Sequence, residues 1–115
     1  MSSLSTHVLD TVAGCPAAGV ALRLYASGQC GGGQELFRGQ TDADGRCPAL
    51  RTVALGKGVY RLEFDVGAYF TARGTALADP PFLSTVPVLF GLGEDAHVHV
   101  PLLAAPYGYS TYRGS

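Results

Sequence analysis

Two of the three histidines in the chain, His97 and His99, are separated by one residue. The surrounding segment alternates in polarity, so both histidines share one face of a predicted strand while Val98, Val100 and Leu102 share the other. On a strand this spacing places the two imidazoles about 6–7 Å apart. An unperturbed imidazole has a pKa of about 6.5, so it can act as a base or an acid near neutral pH. The pair is therefore a candidate for acid–base chemistry.

The same pair admits two other interpretations. His97 and His99 could ligate a metal, with His7 as a third nitrogen, but no nearby cysteine or carboxylate has metal-ligand spacing. They could also be solvent-facing strand residues without a chemical role. By spacing alone, the sequence favours residues without a role, then chemistry without a metal, and a metal site least. No metal and no cofactor are predicted.

Arg46 and Cys47 follow a turn predicted at residues 42–45, because Asp and Gly suit tight-turn dihedral angles. An arginine directly after a turn is usually solvated. Cys47 beside it could be an activated thiol, although Pro48 and Leu50 favour a buried, unreactive cysteine. The sequence contains no GxSxG elbow, phosphate-binding loop or HExxH motif.

Composition limits the class of protein. A chain of 115 residues predicts a single domain over residues 1–115. Hydrophobic residues make up 47% of the chain and charged residues only 15%, which favours a buried subunit interface. The net charge is −1 and no basic cluster is present, so neither nucleic acid nor an anionic membrane is expected as a partner.

The three cysteines, Cys15, Cys30 and Cys47, have no disulfide-framework or CxxC spacing. Their odd number favours a reduced, cytoplasmic setting, although their role is not apparent from the sequence. The chain opens without a signal segment, and no apolar run approaches the ~18 residues of a membrane span.

The pattern of the whole chain predicts an all-β fold. Turn signals recur about every ten residues, as is typical of a β-sandwich of seven to eight short strands. One short helix is predicted at Gly67–Gly74, where Gly74 suits a left-handed stop. The predicted strands are Leu4–Asp10, Gly19–Ala26, Glu35–Thr41, Val59–Val66, Leu83–Leu92 (an edge or bulged strand because of Pro87), His97–Leu103 and a last strand after Pro106.

Three motifs in order carry a resemblance to a known family. They are Leu4-Ser5-Thr6-His7-Val8-Leu9-Asp10, Thr41-Asp42-Ala43-Asp44-Gly45-Arg46, and a His-x-His-Val-Pro-Leu-Leu strand followed about ten residues later by Tyr112-Arg113-Gly114-Ser115. Together they resemble the 5-hydroxyisourate hydrolases, transthyretin-related enzymes of purine catabolism. The resemblance covers nearly the whole chain, and departures such as Val98 in place of an aromatic residue affect no motif position that carries chemistry.

The resemblance implies a transthyretin-like β-sandwich, a homotetramer built as a dimer of dimers, and active sites in the channel where dimers meet. It implies that His7, Arg46, His99 and Ser115 are catalytic, and that His7, Arg46, Tyr112 and Ser115 bind the substrate. His99 rather than His97 holds the family position, because it directly precedes Val-Pro-Leu-Leu. The implied reaction is hydrolysis of 5-hydroxyisourate to 2-oxo-4-hydroxy-4-carboxy-5-ureidoimidazoline in urate degradation.

These residue types suit the hydrolysis of a lactam, which needs a base, an acid and stabilisation of an oxyanion. Two histidines can divide the proton transfers, and Arg46 offers a cationic fork to the oxyanion. Ser115 offers a hydroxyl and, as the last residue, a carboxylate to the N–H groups of the substrate. The alternatives are a non-catalytic small-ligand carrier of the transthyretin type and a structural or metal-binding accessory sandwich. A carrier has no need of His7, Arg46, His99 and the terminal motif together.

Overall fold

The computed structural model describes residues 1–26 and 33–114, and its strands form two sheets of four. One sheet has the order β2-β1-β7-β8 and the other the order β4-β3-β5-β6. The elements within these residues are β1 (Ser3–Asp10), β2 (Cys15–Pro16), β3 (Ala21–Ala26), β4 (Gln34–Gln40), a 3-10 helix (Pro48–Thr52), β5 (Gly58–Phe64), α1 (Val66–Ala72), β6 (Val86–Leu92), β7 (His97–Ala105) and β8 (Gly108–Thr111). The predicted β-sandwich with one short α-helix is confirmed. No helix among the described residues has the length and apolar character needed to cross a membrane.

The core lies between the sheets and follows from the alternation of polarity along the strands. In β1 the even-numbered residues are buried and the odd-numbered ones are partly exposed, as the sequence predicts. Leu4 and Val8 point inward from one sheet and meet inward residues of the other, such as Leu24 and Leu62. The odd-numbered face of β1, which carries His7, therefore lies outside the core.

Strands β1 and β7 pair in parallel. The other strand pairs among the described residues are antiparallel. The parallel pairing runs from the Ser3–His97 pair to the Asp10–Ala104 pair without a shift in register. This register sets Ser5 beside His99 and His7 beside Pro101 on the outward face. Side chains of the first strand and of the second-to-last strand therefore share one surface.

Several predicted boundaries differ from the observed ones for identifiable reasons. The helix begins one residue early, at Val66, and ends before Gly74, whose φ of +82° is the expected left-handed stop. Strand β6 begins at Val86 rather than Leu83, because Ser84 O accepts the N–H of Gly67 at the start of the helix. Strand β6 lies at a sheet edge, as Pro87 predicts.

The alternation in β5 predicts a polar, outward Arg61, yet this side chain is only 3% exposed. Its guanidinium lies 4.4 Å from the ring centroid of Tyr25 and donates from Nε to Glu63 at 2.8 Å. Tyr25 and Glu63 thus cover Arg61, whereas Val59 on the same face of β5 stays half exposed. The 3-10 helix at Pro48–Thr52, which the sequence analysis does not predict, closes the loop after Arg46.

Candidate active site

The turn before Arg46 is hydrogen-bonded to β1 and places Arg46 beside His7. Gly45 accepts the N–H of Val8 through its carbonyl oxygen at 2.8 Å, and Arg46 forms an isolated antiparallel bridge with His7. Asp42 Oδ1 accepts the backbone N–H of Arg46 at 3.0 Å. Gly45 has a φ of +75°, and a Cβ there would collide with the carbonyl oxygen of Val8. The backbone thus fixes where the Arg46 side chain begins.

His99 lies on the neighbouring strand β7, between Ser5 on one side and Gly114 on the other. The N–H of Gly114 donates to the carbonyl oxygen of His99 at 2.8 Å. A Cβ at position 114 would lie 2.5 Å from Cδ2 of His99, so only glycine permits this approach. Ser115 lies outside the described residues, but the residue before it is fixed against His99.

Hydrogen bonds connect the outward side chains of β1 and β7. Ser3 Oγ lies 2.7 Å from Nδ1 of His97, whose Nε2 lies 3.0 Å from Ser5 Oγ. The same Ser5 oxygen lies 2.8 Å from Nδ1 of His99. With Nδ1 held by Ser5, Nε2 is the nitrogen of His99 that can meet a bound molecule.

The environment of His99 favours its neutral form. Burial holds the pKa of His99 below the ordinary imidazole value, and the positive charge of Arg46 lowers this pKa further. His7, His97 and Arg51 act in the same direction with smaller effects. A neutral imidazole beside a fixed guanidinium is suited to take a proton from water.

An open depression of about 330 Å³ lies over these groups and is bordered by Ser5, Arg46, Arg51, His97 and His99. A second depression, of about 190 Å³, adjoins it and shares Ser5, Arg46 and Arg51 with it. Small-molecule sites commonly have volumes of roughly 300–1,000 Å³, so the first depression is large enough to hold a small ligand. Arg51 is not predicted from the sequence as a site residue, because it comes from the unpredicted 3-10 helix. Ser5 is not predicted either, although the alternation of β1 places it on the face of His7.

Of the sequence-predicted residues, Arg46 and His99 border the first depression. His7 lies on the same outward face and is bridged to Arg46, but it borders neither depression. Tyr112 lies elsewhere within this chain, on an apolar groove of about 300 Å³ between residues of β6 and β7. The described residues contain no group of three or more His, Cys, Asp or Glu side chains that could hold a metal ion.

Two of the three cysteines fall within the described residues. Cys47 is buried, and burial raises the pKa of its thiol, which supports the interpretation of an unreactive side chain. Cys15 is a free, partly exposed thiol. Cys30 lies outside the described residues.

Comparison with known proteins adds independent information. Residues 4–114 match the model of the HIUase/transthyretin family. A 5-hydroxyisourate hydrolase of Caulobacter vibrioides is 50% identical over 117 aligned residues, covering 100% of each chain. The structure of Klebsiella pneumoniae 5-hydroxyisourate hydrolase superposes with a TM-score of 0.83 at 36% identity, covering 100% of this chain and 94% of that one.

Two further solved structures share the fold but carry other names. Sea bream transthyretin, solved in complex with thyroxine, has a TM-score of 0.83 at 34% identity, covering 96% of this chain and 93% of that one. An (S)-allantoin synthase has a TM-score of 0.89 at 37% identity over 99% of this chain. This chain spans only 44% of the length of that synthase. The same sandwich therefore occurs in proteins that are named for different functions.

Proposed function

The chain belongs to the HIUase/transthyretin family, and from that premise we propose that it hydrolyses 5-hydroxyisourate to 2-oxo-4-hydroxy-4-carboxy-5-ureidoimidazoline. The observation that carries the proposal is that Arg46 and His99 border one depression, while His7, on the same outward face as His99, is bridged to Arg46. Relatives that match the full length of the chain and bear the name of this hydrolase support it. We propose a single domain over residues 1–115. It acts in the cytoplasm, where free thiols such as Cys15 and Cys47 persist.

The proposed reaction uses water and side chains alone. Nε2 of His99 takes a proton from water, whose oxygen bonds to the lactam carbonyl carbon. Arg46 donates hydrogen bonds to the oxyanion that forms, and its fixed charge needs no reorganisation. The carbon–nitrogen bond then breaks, and His7 supplies the proton that the released nitrogen needs. His99 is assigned as the base because burial and Arg46 keep it neutral.

Ser115 and Tyr112 belong to the same proposal as substrate-binding groups. Gly114, which precedes Ser115 in the chain, is held at the backbone of His99. Tyr112 is exposed and lines a separate groove of its own chain, so it would have to reach a site through subunit association. The proposed homotetramer, a dimer of dimers with sites where dimers meet, provides such an arrangement.

A carrier of the thyroxine-binding kind is the second candidate, since sea bream transthyretin shares the fold. A carrier needs a pocket but no proton-transfer groups. The Ser5 hydrogen bond and the lowered pKa both keep His99 ready for proton transfer, and Arg46 is bridged to His7. This arrangement favours the hydrolase.

The decisive measurement is the absorbance decay of freshly generated 5-hydroxyisourate with and without micromolar protein. We expect a much faster decay with the protein and no effect of a chelator. Heat-denatured protein at the same concentration serves as the control, because it measures the decay of 5-hydroxyisourate without a folded site. An unchanged decay rate would refute the hydrolase, and activity that is lost to a chelator and restored by zinc would revive the metal interpretation of the histidines.

Sedimentation velocity tests the assembly. We expect one species of about four times the chain mass of 11.9 kDa, because the exposed aromatic side chains of Tyr107, Tyr109 and Tyr112 in and around β8 need covering. Tyr109→Asp places a charge on this exposed strand and is expected to lower the sedimenting mass. The matched control is Val12→Asp in the exposed turn after β1, which should leave the mass unchanged. A single 11.9 kDa species for the unmodified protein would contradict the tetramer.

A further inference from the structure

We propose that Ser3, His97, Ser5 and His99 form a proton relay that carries the proton taken up at His99 to the exposed end of β7. The inference rests on the proposed function, since it assigns a path to a proton that the hydrolysis produces. It gives a role to His97, which the proposed reaction leaves unused, and a second role to Ser5, which already holds Nδ1 of His99.

The relay follows from the register of the parallel strands. Ser3 is paired with His97 and Ser5 with His99, so serine and histidine side chains alternate on one outward face. The three successive contacts measure 2.7, 3.0 and 2.8 Å, and each is within hydrogen-bond distance. The chain of contacts begins at the partly buried His99 and ends at the exposed His97 and the partly exposed Ser3.

The hydroxyl of Ser5 gives the chain a direction. It has one proton, so it can donate to only one of the two imidazoles that it touches, and the other imidazole must donate to it. In one arrangement Nδ1–H of His99 donates to Ser5, which donates to Nε2 of His97, leaving Nε2 of His99 free to act as a base. In the other arrangement Nε2–H of His97 donates to Ser5, and Ser5 donates to Nδ1 of His99.

Transfer along the chain converts the first arrangement into the second. When Nε2 of His99 takes a proton from water, its Nδ1 proton passes to Ser5 Oγ, and the former Ser5 proton passes to Nε2 of His97. His97 then releases its Nδ1 proton towards Ser3 and solvent. One proton enters and one leaves, so both imidazoles end neutral and no oxidant, reductant or further reactant is needed. After the product leaves, Nε2 of His99 gives its proton to the water that refills the site, Nδ1 of His97 takes a proton from solvent, and the reverse shift restores the first arrangement.

The chemistry of the product requires such an exit. The proposed product carries a carboxylic acid, which is ionised at neutral pH, and a ureido nitrogen, which is not basic. Of the two protons of the attacking water, one passes to His99 and the other stays on the new carboxylic acid. His7, which gives its proton to the released nitrogen, regains one as this acid ionises, so the proton at His99 is the one that must leave the site. The positive charges of Arg46 and Arg51 and burial all disfavour a charged His99, as its lowered pKa indicates. The proton therefore moves outward along the relay.

Chemical rescue tests the relay at its solvent end. In dilute buffer we expect His97→Ala to lower kcat by less than the ~10²-fold typical of losing a positioned acid or base. Added imidazole should restore the rate of this variant and leave that of the unmodified protein unchanged. His97→Gln can still hydrogen-bond to Ser5 but cannot exchange a ring proton, so it should be as slow as the alanine variant and equally rescued. Full activity of His97→Gln, or no response of His97→Ala to imidazole, would overturn the relay.

A readout without substrate separates this proposal from the hydrolase itself. In ¹⁵N NMR of the resting protein, Ser5→Ala should change the ring-nitrogen shifts of both His97 and His99, because both share the hydroxyl. Ser5→Thr, which keeps a hydroxyl, should restore them, and Ser110→Ala on β8 should change neither. Shifts that move in one ring only, or in none, would refute the shared contact. An unmodified protein that shows the coupling but does not hydrolyse 5-hydroxyisourate would refute the proposed function instead.

Discussion

Replacing His99 by alanine is expected to slow hydrolysis of 5-hydroxyisourate by ~10²–10⁴-fold, the usual contribution of a positioned acid or base. His7→Ala and Arg46→Ala should each lose most of the activity as well. All three side chains lie on the outward face of the sheet or after the turn, outside the core. Their removal should therefore leave the circular dichroism spectrum and the melting temperature nearly unchanged while kcat/KM falls.

The matched control is His97→Ala, on the same face of the same strand. His97 is exposed and lies two residues from His99, and it touches Ser5 rather than the open side of the His99 ring. Its loss should reduce the rate far less than the loss of His99. Equal losses at the two positions would mean that the catalytic histidine is misassigned.

The pH profile of the same variants identifies the base. Because burial and Arg46 lower the pKa of His99, its imidazole stays neutral into more acidic solution than an ordinary histidine does. The acid limb of kcat/KM should accordingly lie below an ordinary imidazole pKa of about 6.5, because kcat/KM reports groups of the free enzyme. Arg46→Ala removes a positive charge and should move this limb of the residual activity to higher pH. A limb that does not move would indicate that another group titrates.

The faces of the site strands follow from the sequence, because alternation fixes which side chains share a side. Polarity along β1 and β7 already separates the histidine positions from the apolar core. The turn before Arg46 is also predictable, since Gly45 has the positive φ that an Asp-rich turn ending in glycine favours. These local signals need no knowledge of the partner strands.

The contacts between elements are not local and do not follow from alternation. Periodicity places a residue on a face but does not choose the neighbouring strand, so the parallel β1–β7 register that sets Ser5 beside His99 could not be predicted. Arg51 enters the site from a five-residue 3-10 helix, which is too short to leave a periodic signal. Arg61 is buried because Tyr25 on a neighbouring strand covers it.

Extending the chain beyond Ser115 is expected to slow hydrolysis by ~10²-fold, because small misplacements of positioned groups can cost this much. Gly114 is fixed to the backbone of His99 and leaves no room for a side chain, so an added peptide begins at the site. Removing Gly114 and Ser115 should slow the reaction similarly, since it deletes the hydrogen bond to His99. The measurement is turnover at equal folded concentration, with melting temperatures compared alongside.

Two controls separate a working terminus from a general effect of the change. A tag before Met1 should be tolerated, because it disturbs only the exposed ion pair of the N-terminus with Asp95. Gly114→Ala should slow turnover by displacing the His99 ring, whereas Gly108→Ala on the same terminal segment has nothing within 4 Å of its added Cβ and should not. If the C-terminally extended protein turns over 5-hydroxyisourate as fast as the N-terminally extended one, the terminus is structural. In that case Ser115 has no part in the reaction, and the role of Gly114 is limited to holding the strand.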